Sequence, residues 1–338
     1  MDPRGEATVW VFGTVTPHRE AAKPSVRRNR RASVASLVAL SSLLALASAC
    51  AAPGGDAPPF PVEPEVFIDV FDGAEGITFN GEGDLYIAAN RAVWRADPTG
   101  AVTRITDVHS NLGLAGFGER NLLMADFGPT AALADSSGND GIVWLITPEG
   151  EKLDVVRGIA DPNFVFVRED GSFLVSDDFT RNIYAADTTG VLRVWSTAVP
   201  FPNGLVASLD GSMLYVAQIF SDLDPVTFAD RIWAIPMAGG EAAGEARLAE
   251  TGGAGVDGLA LDEHGRVYVA DNQVGRIWRI DPGSGALTLI AEGMPNIASL
   301  VFGEGAFDRT TLYVTSTFRG GGTIWKVPVG VRGAPVVR

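Results

Sequence analysis

An aromatic residue set in a short apolar strand returns six times along this chain, at Trp94, Trp144, Tyr184, Trp233, Trp278 and Trp325. Successive members lie 50, 40, 49, 45 and 47 residues apart, which is the period of one propeller blade. A second apolar strand precedes each aromatic, as in Leu85-Tyr86-Ile87, Phe173-Leu174-Val175 and Val267-Tyr268-Val269. Ahead of that stands a turn such as Asp170-Gly171 or Asp210-Gly211, then a third strand, and a weaker fourth strand closes the unit. The pattern predicts an all-β fold, a six-bladed β-propeller of four-stranded antiparallel blades, over residues 65–338. The 40 glycines suit strands and tight turns better than helices. Val66–Val70 falls where an outer strand belongs, so it is expected to pair with the strand around Trp325 and close the ring. Val336 and Val337 are the second choice for that edge.

Charge divides the chain. Residues 1–49 hold seven Lys/Arg against three Asp/Glu, and the remainder holds 19 against 38. An acidic body repels phosphate backbones, so no nucleic-acid partner is expected. Arg27, Arg28, Arg30 and Arg31 precede an apolar run from Val34 to Leu46 and then Ala47-Ser48-Ala49-Cys50. That is the layout of an export signal, and the run is too short for a membrane span. Cys50, the only cysteine, sits where a lipoprotein signal carries its lipidated residue. The expected product is an envelope lipoprotein, periplasmic or surface-exposed, whose only membrane contact is that anchor. Ordinary cleavage after Ala49, giving a secreted protein, is the other reading. Residues 50–64, rich in Pro, Gly and Ala, read as a flexible tether.

A second register carries polar residues at or just before each inner strand: Glu75, the Leu112–Leu114 stretch, Asn163, Asn203, Asp257 and Asn296. Each residue alone fits a turn. Together they would crowd oxygens around the axis, and a bound cation relieves that repulsion. Two carboxylates with amides, and no Cys or His, suit a hard divalent ion. Ca2+ ranks ahead of Mg2+, with Zn2+ and Mn2+ as further options.

The segments Ala74-Glu75-Gly76, Phe201-Pro202-Asn203-Gly204-Leu205 and Val256-Asp257-Gly258-Leu259-Ala260 resemble the SMP-30/gluconolactonase/LRE-like family, as does Pro295-Asn296 through Leu312-Tyr313-Val314-Thr315-Ser316. These are six-bladed propellers related to diisopropyl fluorophosphatase and paraoxonases. The resemblance implies a central divalent metal on Glu75, Asn203 and Asp257, with Asn163 as a further ligand or substrate contact. It also implies hydrolysis of lactones or related esters, with Asp257 as base or nucleophile. Asp161 stands where gluconolactonases often carry a sugar-acid-binding Arg, and Phe164 where they tend to have Asp. A substrate more apolar than a sugar lactone is therefore expected.

Asp126–Gly141 and Gln218–Asp230 read as long loops over the metal face. Phe127, Phe179, Phe220 and Phe318 are candidate apolar pocket walls at one register, and His109 a candidate overhanging the channel. A non-catalytic envelope propeller that binds a ligand or partner protein is the alternative, and a lyase-type propeller is a third reading.

Overall fold

The computed structural model describes residues 58–130, 139–244, 246–317 and 321–335, and every regular element among them is a strand. β1 (Glu65–Asp69) is followed by blade one, β2 (Ala74–Phe79), β3 (Leu85–Ala89), β4 (Ala92–Ala96) and β5 (Val102–Asp107). Blade two is β6 (Leu114–Phe117), β7 (Asn121–Asp126), β8 (Gly141–Ile146) and β9 (Lys152–Ile159). Blade three is β10 (Pro162–Val167), β11 (Phe173–Asp177), β12 (Ile183–Ala186) and β13 (Leu192–Ser196). Blade four is β14 (Pro202–Ala207), β15 (Met213–Leu223), β16 (Val226–Ala238) and β18 (Ala246–Glu250), with β17 (Glu241–Ala242) a short addition to β16. Blade five is β19 (Val256–Leu261), β20 (Val267–Asp271), β21 (Arg276–Asp281) and β22 (Ala286–Glu292). Blade six is β23 (Ile297–Phe302), β24 (Thr311–Ser316) and β25 (Thr323–Pro328), completed by β1. The inner strands β2, β6, β10, β14, β19 and β23 touch in that order, and β23 returns to β2.

The closure falls where the strand order puts it. β1 pairs antiparallel with β25, Val66 opposite Trp325. The C-terminal segment goes elsewhere, with Ala334 N–H donating to Leu261 O and Gly333 bridging Asp262. Val336 and Val337 lie outside the described residues, as do the export segment, Cys50 and Phe318. The tether read over 50–64 is shortened by the structure. Val62 N–H donates to Ile290 O, and Phe60 and Val62 pack on the core shared by blades five and six.

Six apolar clusters fill the six wedges between neighbouring blades, each drawing side chains from both walls. The aromatic ladder lines these wedges. It also does something periodicity could not reveal. Five indole N–H groups reach back to the preceding strand, four of them to its last residue: Trp94 to Ala89 O, Trp144 to Asp126, Trp278 to Asp271 and Trp325 to Ser316, with Trp233 donating to Gln218 within the longer β15, at 2.8–3.1 Å. Each ring thus pins the channel-side end of its own blade. Because β1 supplies both a sheet edge and the buried Ile68 (3% exposed), Ile68→Ala is expected to cost about 2–5 kcal/mol in a urea melt. A cost below roughly 1 kcal/mol would mean that β1 does not hold the ring closed.

Candidate functional site in the propeller channel

Five inner strands break register with their neighbours at one height, between Ala74/Ile77, Pro162/Val165, Pro202/Leu205, Val256/Leu259 and Ile297/Leu300. A bulge of this kind re-aims the side chains it contains. The residues inside these bulges include Glu75, Asn163, Asn203, Asp257 and Ala298. The sixth position is therefore Ala298, and Asn296 is not in the register. Asn296 sits two residues earlier in a turn at φ 54°, its carbonyl accepting Thr317 N–H. Blade two contributes Leu112, and its inner strand begins only at Leu114.

Glycine lets these strands converge. A Cβ on Gly204 would stand 2.3 Å from Asp257 O, and one on Gly76 would stand 2.1 Å from Leu112 O. Backbones at the axis are thus as close as backbones can be, and the side chain before each glycine is carried into the channel.

Glu75, Asn163 and Asp257 converge with a carboxylate that sequence reading missed. Asn163 Nδ2 donates to Asp178 Oδ2 at 2.9 Å, and the same amide hydrogen-bonds Glu75. Thr317 Oγ1 lies 3.4 Å from Glu75 Oε2, and Asn272 Nδ2 donates to Asp257 Oδ2 at 3.3 Å. The Thr315 hydroxyl donates to Glu75 O at 2.6 Å, tying blade six to blade one. Asn203 stands on the strand between Asn163 and Asp257, 1% exposed, and neither its Oδ1 nor its Nδ2 has a hydrogen-bond partner among the described residues. Asp178, Asn272 and Thr317 each directly follow the second strand of their blade, at the place Phe127 holds in blade two.

The electrostatics are those of crowded acids. Burial pushes Glu75 up to about 7, against hydrogen bonds from Thr317 and Asn163. Burial first, then the charge of Glu75, lifts Asp257 well above the usual carboxylate range. Asp178 is lifted likewise by burial, then by Glu75, Asp161, Asp177 and Asp257. An unpartnered buried amide among mutually repelling carboxylates fits a site shaped for a cation with oxygen ligands. No group of three or more His, Cys, Asp or Glu among the described residues is itself arranged to hold a metal, so the amide oxygens are essential to that fit.

The other candidates divide. His109 is half-buried, with Nδ1 3.1 Å from Asp126 Oδ2 and its ring stacked near Trp144, so its partners belong to blade two. Phe127 is buried in the wedge between blades two and three. Phe179 and Phe220 meet at 5.7 Å between ring centroids, and they are joined by Phe201 and Phe228, which sequence reading missed. The Gln218–Asp230 stretch is not a loop. β15 and β16 continue as a ladder, Phe220 opposite Phe228 and Leu223 opposite Val226, around Asp224-Pro225.

Asp177 provides an independent check on these electrostatics. Its counterparts Asp126 and Asp271 accept an indole N–H, but blade three has Tyr184 instead of Trp, and both Asp177 oxygens lack a partner in hydrogen-bond geometry among the described residues. Burial pushes Asp177 up to about 6, against weak contacts with Thr180 and the amides of Phe179, Asp161 and Ala160. A raised carboxyl favours folding at low pH, and that benefit is lost as pH rises from the unfolded value, about 3.8, through about 6. At pH 8 the ionised group costs on the order of 3 kcal/mol. Asp177→Asn should therefore raise the melting temperature at pH 8 and change it little near pH 4. An equal effect at both pH values would contradict this account.

Fold and site together define a six-bladed propeller with an oxygen-rich channel carrying buried carboxylates. The chain belongs to the SMP-30/gluconolactonase/LRE-like family, whose model matches residues 65–318. No curated protein matches it. Among solved structures it is similar to a gluconolactonase from Xanthomonas campestris, at 18% identity and TM-score 0.60 over 82% of this chain and 99% of that one. It is also similar to the calcium-binding protein regucalcin from Agrobacterium tumefaciens, at 17% identity and TM-score 0.62 over 81% and 99%. A luciferin-regenerating enzyme is similar at 16% identity and TM-score 0.62 over 79% and 95%.

Proposed function

We propose that the protein is a divalent-cation-dependent hydrolase of lactones or related esters, with Glu75, Asn163, Asn203 and Asp257 holding the cation. The observation that carries this reading is Asn203, a buried amide with two unsatisfied polar atoms beside raised carboxylates. Leaving such a group unpaired costs about 1–3 kcal/mol, and a cation for Oδ1 with a substrate oxygen for Nδ2 would satisfy both atoms. Membership of the gluconolactonase family and the regucalcin-like fold support it.

When bound, a divalent cation polarises a carbonyl or phosphoryl oxygen and stabilises the charge that develops there. The chain's own residues do the rest. Asp257 takes the proton from the attacking water, and Asn272 fixes the carboxylate that receives it. Asn163, held between Glu75 and Asp178, keeps its amide in one orientation. The inner strands, locked by Thr315 and the close glycine contacts, keep the separations fixed. The export reading of residues 27–50 places this activity in the cell envelope, and loss of lipid labelling in Cys50→Ser would support the anchor.

The test is hydrolysis of γ- and δ-lactones and aryl esters by purified protein, with calcium and after chelation. Turnover that chelator abolishes is expected. Absence of turnover on every substrate would leave the non-catalytic binding propeller as the better reading, and turnover indifferent to chelator would remove the cation.

A further inference from the structure

Four phenylalanines of blades three and four form a continuous shelf beside the channel residues. Phe220 is its centre, with ring centroids 5.7 Å from Phe179, 6.3 Å from Phe201 and 5.5 Å from Phe228. Phe179 is buried beneath, while Phe201, Phe220 and Phe228 are partly exposed. Two edges of the shelf adjoin the polar cluster along the chain, and the third adjoins it through space. Phe179 follows Asp178, and Phe201 lies two residues before Asn203. The Phe228 ring comes within 3.0 Å of where a side chain on Gly255 would begin, and Gly255 lies two residues before Asp257.

Phe201 is held at a cost. Its φ is 51°, a region bulky residues rarely enter. The equivalent positions, marked by the same carbonyl accepting the N–H that follows the second strand, are Gly73, Gly255 and Asn296. Gly255 and Asn296 share the positive φ, so two blades use a residue suited to that conformation, and blade four places a phenylalanine ring there. Strain kept at a site edge indicates that the ring itself is used. Blade three agrees. Asp161, the counterpart of Phe201 in blade three, is no partner for a sugar acid's carboxylate, and Phe164 is partly buried beside Asn163.

We propose that this shelf is a subsite for an alkyl or aryl arm of the substrate, so that the substrate is a lactone or ester bearing a sizeable apolar substituent. The proposal rests on the hydrolase reading for its chemistry and on the shelf alone for its specificity. The arm lies on Phe201, Phe220 and Phe228 while the carbonyl enters the channel between Asn163, Asn203 and Asp257.

The experiment compares δ-valerolactone with δ-dodecalactone on the calcium-loaded protein and on Phe201→Gly, with Phe220→Ala as a second variant. The native protein should prefer the long-chain lactone in kcat/KM, and each variant should reduce that preference roughly tenfold, through KM. Phe201→Gly should melt no lower than native, because glycine relieves the left-handed backbone; a ring that only anchored the loop would lower the melting temperature when removed. Equal turnover of both lactones by the native protein, or an unchanged preference in both variants, would overturn the subsite. Should neither lactone be turned over, the hydrolase reading falls by itself. Calorimetric titration of δ-dodecalactone then decides the shelf: binding weakened in Phe201→Gly supports it, and no binding to the native protein overturns it.

Discussion

Calcium at one fixed concentration, a hundredfold above its Kd at pH 8, should raise the melting temperature of chelator-treated protein by roughly 5 °C at that pH, and by less toward about pH 5.5, where protons weaken binding. The size follows from mass action, about 2.7 kcal/mol at that excess, spread over a propeller of this length. The direction with pH follows from the acids. Glu75 is raised from 4.5 to about 7, so the cation-free protein is favoured below about 4.5 and loses that benefit as pH rises through about 7. Asp257 and Asp178 are raised in the same direction. At low pH protons occupy the cluster and the cation must displace them; at high pH the bare charges repel and the cation has more to relieve. A calcium shift that shrinks as pH rises would contradict a site made of these acids. Differential scanning fluorimetry across pH, with and without chelator, measures it.

Asp257→Asn should separate stability from function. It removes one buried charge beside Glu75 while keeping side-chain shape, so the cation-free variant should melt above the native protein at pH 8. Hydrolysis should fall on the order of a thousandfold, since the proton acceptor is gone, and the calcium increment should shrink or vanish. A variant that loses stability without calcium would show that Asp257 is paired by some other group. A variant that keeps activity would show that the base lies elsewhere. Both outcomes are readable from one melt and one assay.

The fold was legible because a propeller repeats its own evidence. Six aromatics at a steady period imply six equivalent blades, and an outer strand standing first implies a closure across the termini. The site was legible only in part. Glu75, Asn163, Asn203 and Asp257 were visible because each differs from the repeat at the same height. Asn296 was misplaced because its φ of 54° marks a turn, and the bulge beyond it shifts the count by two residues to Ala298. Asp178, Asn272 and Thr317 were hidden among residues that read as strand ends. The signal available was that each follows the Asp or Ser pinned or faced by its blade's aromatic, at Asp177, Asp271 and Ser316. The hairpin at Gln218–Asp230 reads as a loop in the sequence because Asp222 and Asp224-Pro225 look like breakers. Only the cross-strand pairing of Phe220 with Phe228 shows that the sheet continues to its tip. That pairing depends on a tertiary neighbour and not on local pattern.

Calorimetric titration of chelator-stripped protein with calcium tests the cation site in the channel most directly. One site per chain is expected, lost in Asn203→Leu, where the variant replaces an unpartnered amide by an apolar group of similar size and should fold at least as well. Absence of binding to the native protein, or binding that survives Asn203→Leu unchanged, would contradict it.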